Sequence, residues 1–290
     1  MRPQRFLPLL ALTLLLLAGC RTAGDVSAPS FFDAIAPLPG QRLSLSHQHP
    51  AGFTPGELGQ MRAMHQQGQS LWLFVNDADL QRLDSSGKLR AWLGDAGALH
   101  FHASEGHVFW LPASAAAPAA FVFERDLTPW LEDAEAARLW TLRGDDLWKS
   151  KDYKQALDAY QRAVSLDDTL FDANFGLGRT LLGRGKARKA LTPLIRAVTL
   201  NPDSYEAQRL LGVAYLKLQR YHLAVTPLTR AYLLRPDAPR NLLGVALALG
   251  RSGNRALALR VLDEAALRIT NKKVQGDIQT LKTEFADNGN

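Results

Sequence analysis

The chain predicts an α-helical solenoid of four repeats with a capping helix, preceded by a small α+β domain with an antiparallel β-meander. Three observations carry this. A self-similarity of 34 residues runs four times without gaps from Ala137. Ahead of it, between Gly68 and Phe123, the hydrophobic period changes to two. At the N-terminus an apolar run is too short to cross a bilayer. The 290 residues are 47% hydrophobic, enough for two ordinary cores.

The repeats fall into register when Ala137, Phe171, Tyr205 and Pro239 are aligned, giving units 137–170, 171–204, 205–238 and 239–272. Position 8 then reads Gly144, Gly178, Gly212, Ala246. Position 20 reads Ala156, Ala190, Ala224, Ala258, and position 27 reads Ala163, Ala197, Ala231, Ala265. Position 24 holds Tyr160, Leu194, Leu228 and Leu262. Small residues at helical spacing let two antiparallel helices approach closely, while the large ones fill the layer between pairs. Helix A is expected over about positions 2–14 and helix B over about 18–30 of each unit. Pro193 and Pro227 fall inside helix B and should bend it. After the fourth repeat, Val274, Ile278, Leu281 and Phe285 make one apolar stripe on a helix over 273–286, as a terminal cap requires.

The pattern resembles the tetratricopeptide repeat, including Trp140 at position 4, Tyr215 at position 11, and Pro202 and Pro236 at position 32. The resemblance covers roughly half the chain. It implies an array that binds other proteins, with positions 2, 5, 9 and 12 of helix A lining a concave groove. The expected groove residues are Trp148, Phe175, Arg179, Leu182, Arg209, Val213, Leu216, Arg240, Leu243 and Leu247. Apolar side chains flanked by arginines suit an acidic or amphipathic peptide or helix. Tetratricopeptide domains that clamp a C-terminal carboxylate carry Lys or Asn at positions 5 and 9 of the first repeat. Thr141 and Asp145 stand there, so no such clamp is expected.

Residues 1–19 read as a signal peptide. Arg2 and Arg5 form its basic start, and the apolar run from Phe6 to Leu17 is shorter than the roughly 20 residues of a membrane span. The run ends in Leu17-Ala18-Gly19-Cys20, which resembles a bacterial lipobox. That resemblance implies acylation of the Cys20 sulfur and cleavage before it. Cys20 is the sole cysteine, so no disulfide framework competes for it. Two or more acyl chains hold a protein stably on a membrane. Arg21 is not the Asp of an inner-membrane retention signal, which implies the outer membrane facing the periplasm. Residues 20–40, with Gly, Ser, Ala and several prolines, read as a tether.

In residues 41–130, Thr54-Pro55-Gly56-Glu57 has the form of a helix start, with Thr54 as N-cap and Glu57 completing a capping box. Runs at 71–75, 80–84, 89–93, 99–102, 108–111 and 121–123 read as short strands, several of them separated by Gly-containing turns. The Ala-rich stretch 113–120, broken by Pro118, reads as a loop. Six of the seven histidines lie here. His100 and His102 alternate onto one strand face, and a turn at 103–106 would set His107 opposite His102. His47 and His49 could add to such a set. No carboxylate or cysteine stands at a characteristic ligand spacing along the chain, so no metal is expected, and no cofactor.

Catalytic signals fail on their own chemistry. There is no Gly-x-Ser-x-Gly elbow, and an acylated Cys20 leaves no thiol nucleophile. Gly183-Arg184-Gly185-Lys186 lacks the Ser or Thr of a phosphate loop, because Ala187 follows. Asn76-Asp77-Ala78-Asp79 lacks the glycine and distal glutamate of a calcium loop. The chain is expected to be non-enzymatic. Its net charge of +6 conceals an asymmetry: residues 21–136 carry 7 basic and 13 acidic side chains, and residues 137–290 carry 25 and 15. A basic array favours acidic partners, and a periplasmic address argues against nucleic acid. Lipid anchor plus array resembles the pilotin lipoproteins of type IV and tight-adherence pili, and also scaffold lipoproteins of exopolysaccharide export. The alternative expectation is a ligand- or metal-binding module over 41–130 that docks through the array.

Overall fold

The computed structural model describes residues 41–45, 55–83, 87–103, 106–113, 118–124, 127–236, 238 and 240–287. Residues 1–40, for which a signal peptide, an acylated Cys20 and a tether are expected, lie outside them, as do His47 and His49. Among the described residues no helix is long and apolar enough to cross a membrane.

The N-terminal unit is a four-stranded mixed sheet, β1 (Gln41–Leu45), β2 (Leu71–Val75), β3 (Leu99–Ala103) and β4 (Gly106–Leu111), in the order β1-β2-β4-β3. Its central pairs, β2 with β4 and β4 with β3, are antiparallel, as expected, while β1 adds in parallel at the edge. The connections differ from a meander, because β2 is followed by two helices and its sheet neighbour is β4. Both faces are covered. Trp72, Leu99, Phe101, Val108 and Trp110 pack toward the array, and Leu71, Leu73, Val75, Phe109 and Leu111 pack under Met61, Leu80, Leu89 and Trp92. Burial on both faces explains why β2 and β4 are almost continuously apolar.

Helix α1 (Pro55–Gln66) begins at the anticipated Pro55. Three of the six runs read as strands are instead helical: α2 (Asp77–Leu83), α3 (Lys88–Asp95) and α4 (Pro118–Glu124). In α3 the buried residues are Leu89, Trp92 and Leu93, spaced three and four apart as one helical stripe. Pro118 does not break a loop but opens α4, where its missing N–H costs nothing. Asn76 likewise precedes a helix, with Leu80 N–H donating to the Asn76 carbonyl at 2.8 Å.

A 3₁₀ turn (Thr128–Trp130) leads into the array. Its helices are α5 (Asp133–Lys149), α6 (Tyr153–Leu166), α7 (Phe171–Gly183), α8 (Ala187–Leu200), α9 (Tyr205–Lys217), α10 (Tyr221–Leu234), α11 (Arg240–Arg251) and α12 (Arg255–Arg268). They are four antiparallel A/B pairs, closed by α13 (Lys272–Asp287). The repeat columns have the expected roles. Tyr160, Leu194, Leu228 and Leu262 are at most 2% exposed. Leu194 abuts Gly178, where a Cβ would come within 2.6 Å of it, and Leu228 abuts Gly212 in the same way. Pro193 and Pro227 are accommodated inside α8 and α10, both buried.

Position 15 of every repeat is left-handed: Lys151, Gly185, Gln219 and Gly253 have φ of 67°, 75°, 57° and 100°. Around it the N–H of Lys186 reaches the carbonyl of Leu181 and that of Gly185 reaches Leu182, with the same pair of bonds in the other repeats. This is the Schellman ending of helix A, and it is what Gly183–Lys186 forms. Buried amides lock one repeat to the next: Asn174 donates to the Asp168 and Leu170 carbonyls, and Gln208 to that of Pro202.

The two units share a core. Ala136 and Leu139 of α5 are buried with Trp72, Phe101, Val122 and Leu127, and Trp140 packs against this cluster. Phe121 stacks on Trp110 with centroids 4.4 Å apart, and Phe123 meets Trp140 at 4.5 Å. The sheet domain therefore seals the first repeat as α13 seals the last. A repeat stack needs both ends covered.

Candidate partner-binding groove

Helix A places its stripe residues in two different situations. In the first half of the array they are turned into an internal stack. The Arg179 guanidinium lies 3.7 Å from the Trp148 ring centroid and 5.3 Å from that of Phe175. Its Nη2 is 3.6 Å from Asp145 Oδ1 and donates to the Tyr160 hydroxyl at 3.3 Å, and that hydroxyl donates to Asp145 at 2.5 Å. Burial, then the bond to Asp145, raises the Tyr160 pKa well above that of a free phenol. Arg179 is thus committed to neutralising Asp145 and capping two rings. Leu182 is 6% exposed and belongs to the core between repeats, so it cannot serve as a groove anchor.

In the second half a cleft of about 660 Å³ opens. Arg209, Val213 and Leu216 of α9 line it, together with Tyr205, Leu228, Ala238, Asn241 and Gly244. Its far wall is the junction of α12 with α13, from Arg268 to Asn271. The floor is apolar. Two arginines stand at its edge, each held by a carboxylate on its own helix: Arg209 by Glu206 at 2.8 Å and Arg268 by Glu264 at 2.5 Å. Leu243 and Leu247 are half-buried against the C-terminal core, and the side chain of Arg240, the first residue of α11, lies outside the described residues.

Asn241 and the 268–271 wall were not foreseen. Asn241 left a trace in the sequence: a polar residue stands at position 3, where the other repeats have Leu139, Ala173 and Ala207. It is buried at 7% exposure, 3.4 Å from the Tyr205 hydroxyl. The wall left none, because it arises from how α13 folds back on α12.

A second polar constellation lies on the sheet, on the face of β3 opposite Phe101. His102 faces His107 across the β3–β4 ladder as expected, their rings 5.0 Å apart. Two carboxylates distant along the chain arrive through space. Glu132 lies 2.9 Å from His100 Nδ1, and Asp77 lies 3.1 Å from His107 Nε2. His100 Nε2 and His107 Nδ1 are 2.8 Å apart. His100 also stacks on Phe109 at 4.4 Å. Burial is the main reason that both His100 and His107 sit below the ordinary imidazole pKa, and the carboxylates offset part of it.

Family models of the tetratricopeptide repeat match residues 137–170 and 175–241. No curated protein matches the chain. Among solved structures, YrrB, described as a TPR protein with an unusual peptide-binding site, is 19% identical with a TM-score of 0.50, covering 59% of this chain and 83% of that one. MamA MSR-1 is 18% identical with a TM-score of 0.47, covering 52% and 86%. MamA 41-end from Desulfovibrio magneticus RS-1 is 19% identical with a TM-score of 0.42, covering 52% and 90%. Helix pairing, repeat columns and family models agree: the helical array of this chain is built of tetratricopeptide repeats, an architecture that binds peptide or protein partners.

Proposed function

We propose that the chain is a lipid-anchored protein of the outer membrane, facing the periplasm, whose array holds a segment of a protein partner and so assists assembly of an envelope complex such as a pilus or secretion machine. The observation that carries the binding part of this reading is the cleft between α9, α11 and the α12–α13 junction. Its volume lies within the range of ligand clefts, and an apolar floor meets polar edges there. The partner chemistry follows from its lining: an apolar anchor fills the floor at Val213 and Leu216, and acidic groups meet Arg209 and Arg268. Because both arginines already have carboxylate partners, the charges contribute less than the anchor. An anchor truncated at an interface centre costs about 2 kcal/mol or more, whereas a rim charge chiefly changes association rate and salt dependence.

Leu216→Ala is therefore expected to weaken partner binding by roughly 2 kcal/mol. Arg209→Glu with Arg268→Glu should weaken it less, and most at low salt. The comparison is Arg188→Glu with Lys189→Glu, on the exposed side of α8, which should leave binding unchanged. The partner is recovered from solubilised envelopes with the wild-type chain, and its segment is titrated calorimetrically. If the α8 pair abolishes binding while Leu216→Ala has no effect, the partner lies on the outer surface of the array.

The anchor rests on the lipobox-like Leu17-Ala18-Gly19-Cys20. Cys20→Ser removes the sulfur that would be acylated. Uncleaved precursor and loss of outer-membrane fractionation are expected. A mature-sized Cys20→Ser protein that still floats with outer membrane would disprove the anchor.

A further inference from the structure

Three short contacts run in line across the β3–β4 edge: Glu132 to His100 Nδ1, His100 Nε2 to His107 Nδ1, and His107 Nε2 to Asp77. Each joins two atoms that can only accept unless a proton lies between them. With both rings protonated on Nδ1, His100 donates to Glu132 and His107 donates to His100, which leaves the Nε2 lone pair of His107 facing Asp77. His102 joins them: one ligand atom each from Asp77, His102 and His107 lie within 4.8 Å of one another.

We propose that Asp77, His102 and His107 form a binding site for a divalent transition cation of the zinc class. Two imidazoles and a carboxylate suit zinc, and exclude cations that require thiolate or thioether ligands. Three protein ligands leave a fourth tetrahedral position for water or an incoming donor. Ligand atoms about 2.0–2.1 Å from a tetrahedral zinc lie about 3.3 Å apart, and His107 Nε2 and Asp77 already stand 3.1 Å apart. His102 and Asp77 are exposed side chains that can turn to close the set. His100 and Glu132 are positioning residues. A metal-bound imidazole is normally oriented by a hydrogen bond from its other nitrogen. Here His107 Nδ1 donates to His100, and His100 donates in turn to Glu132. Glu132 immediately precedes α5, so the relay ties the site to the start of the array. The sequence-based expectation of no metal rested on the absence of a carboxylate or cysteine at a characteristic ligand spacing along the chain. Asp77 lies 30 residues from His107 and meets it only through the fold.

The test uses the full chain purified in detergent, stripped with a chelator, and titrated with Zn²⁺ alone. One zinc per chain is expected after dialysis, with Co²⁺ substitution giving the visible spectrum of a tetrahedral site. His107→Ala should abolish retention, and His102→Ala or Asp77→Asn should weaken binding at least tenfold. His100→Ala should keep the stoichiometry and weaken binding by roughly 10–100-fold, the usual cost of losing an outer partner, and Glu132→Gln, one bond further out, should weaken it less. Circular dichroism confirms folding of each variant. Should His107→Ala misfold, the exposed pair His102→Ala with Asp77→Asn decides alone. Failure of the wild-type chain to retain zinc would overturn the proposal. Undiminished binding in the His102→Ala, Asp77→Asn double variant would overturn it too, placing the metal elsewhere.

Discussion

Replacing Tyr160 with alanine is expected to destabilise the array by about 3–5 kcal/mol, the range for deleting a fully buried aromatic ring. Tyr160 has no exposed surface and sits where the other repeats carry leucine. Its ring lies against two glycines: a Cβ at Gly144 would come within 2.6 Å of it, and one at Gly176 would overlap it more severely. Neither glycine has a side chain to swing into the void. Tyr160→Phe separates ring from hydroxyl. It keeps the packing and loses the donor to Asp145, at a cost of about 1 kcal/mol. The pH dependence has a definite sign. The folded pKa of the phenol is raised, so its contribution is intact below the unfolded value near 10 and is lost as pH rises through the folded one. Denaturant unfolding at pH 7 measures both variants. A loss under 1 kcal/mol for Tyr160→Ala would show that the first two repeats collapse around the gap, and that the glycines are not held apart by this ring.

The same residue shows why so much of the array was legible in the chain. Each contact that matters there is local in the repeat frame, such as position 24 on position 8, and it recurs, so four copies report one geometry. The sheet domain has no such redundancy. Its short apolar runs fit a strand or a helix equally well, and tertiary packing decided. Leu89, Trp92 and Leu93 became a helical stripe because they cover the sheet, and Phe121–Phe123 became α4 because Pro118 starts a helix there. Strand β1 was missed although Leu43 and Leu45 alternate with Arg42 and Ser44. Where the helix A stripe residues lie was legible only in part. Arg209, Val213 and Leu216 line the cleft, but at Arg179 and Leu182 the same stripe positions turn inward. At Arg179, Asp145 supplies a carboxylate and Trp148 and Phe175 supply rings. The carboxylates of the histidine cluster were illegible for the plainest reason: Asp77 and Glu132 are distant along the chain and adjacent only in the fold.

Phe285→Ala should loosen the C-terminal end of the array without unfolding the rest. Phe285 is 4% exposed on α13, and its ring lies against Gly250 of α11, where any Cβ would collide with it. Ile278 on the same stripe is 1% exposed, and Arg251 pairs with Glu284 at 2.8 Å across the contact. Removing the ring should cost about 3–5 kcal/mol of the interface between α13 and the last repeat. In a solenoid each unit contacts only its neighbours, so that loss is not shared evenly along the stack. Hydrogen exchange should therefore accelerate in α11, α12 and α13, while α5 to α8 keep their protection. Function should follow the same gradient. The wall of the cleft from Arg268 to Asn271 is the α12–α13 junction, and Gln275 of α13 holds that junction by donating to the carbonyls of Ala266 and Ile269. A frayed α13 removes the wall, so partner binding should fall with Arg209, Val213 and Leu216 untouched. Uniform acceleration from α5 to α13 would mean that the array unfolds as one cooperative unit. Unchanged exchange in α11–α13 would mean that Phe285 does not clamp the end.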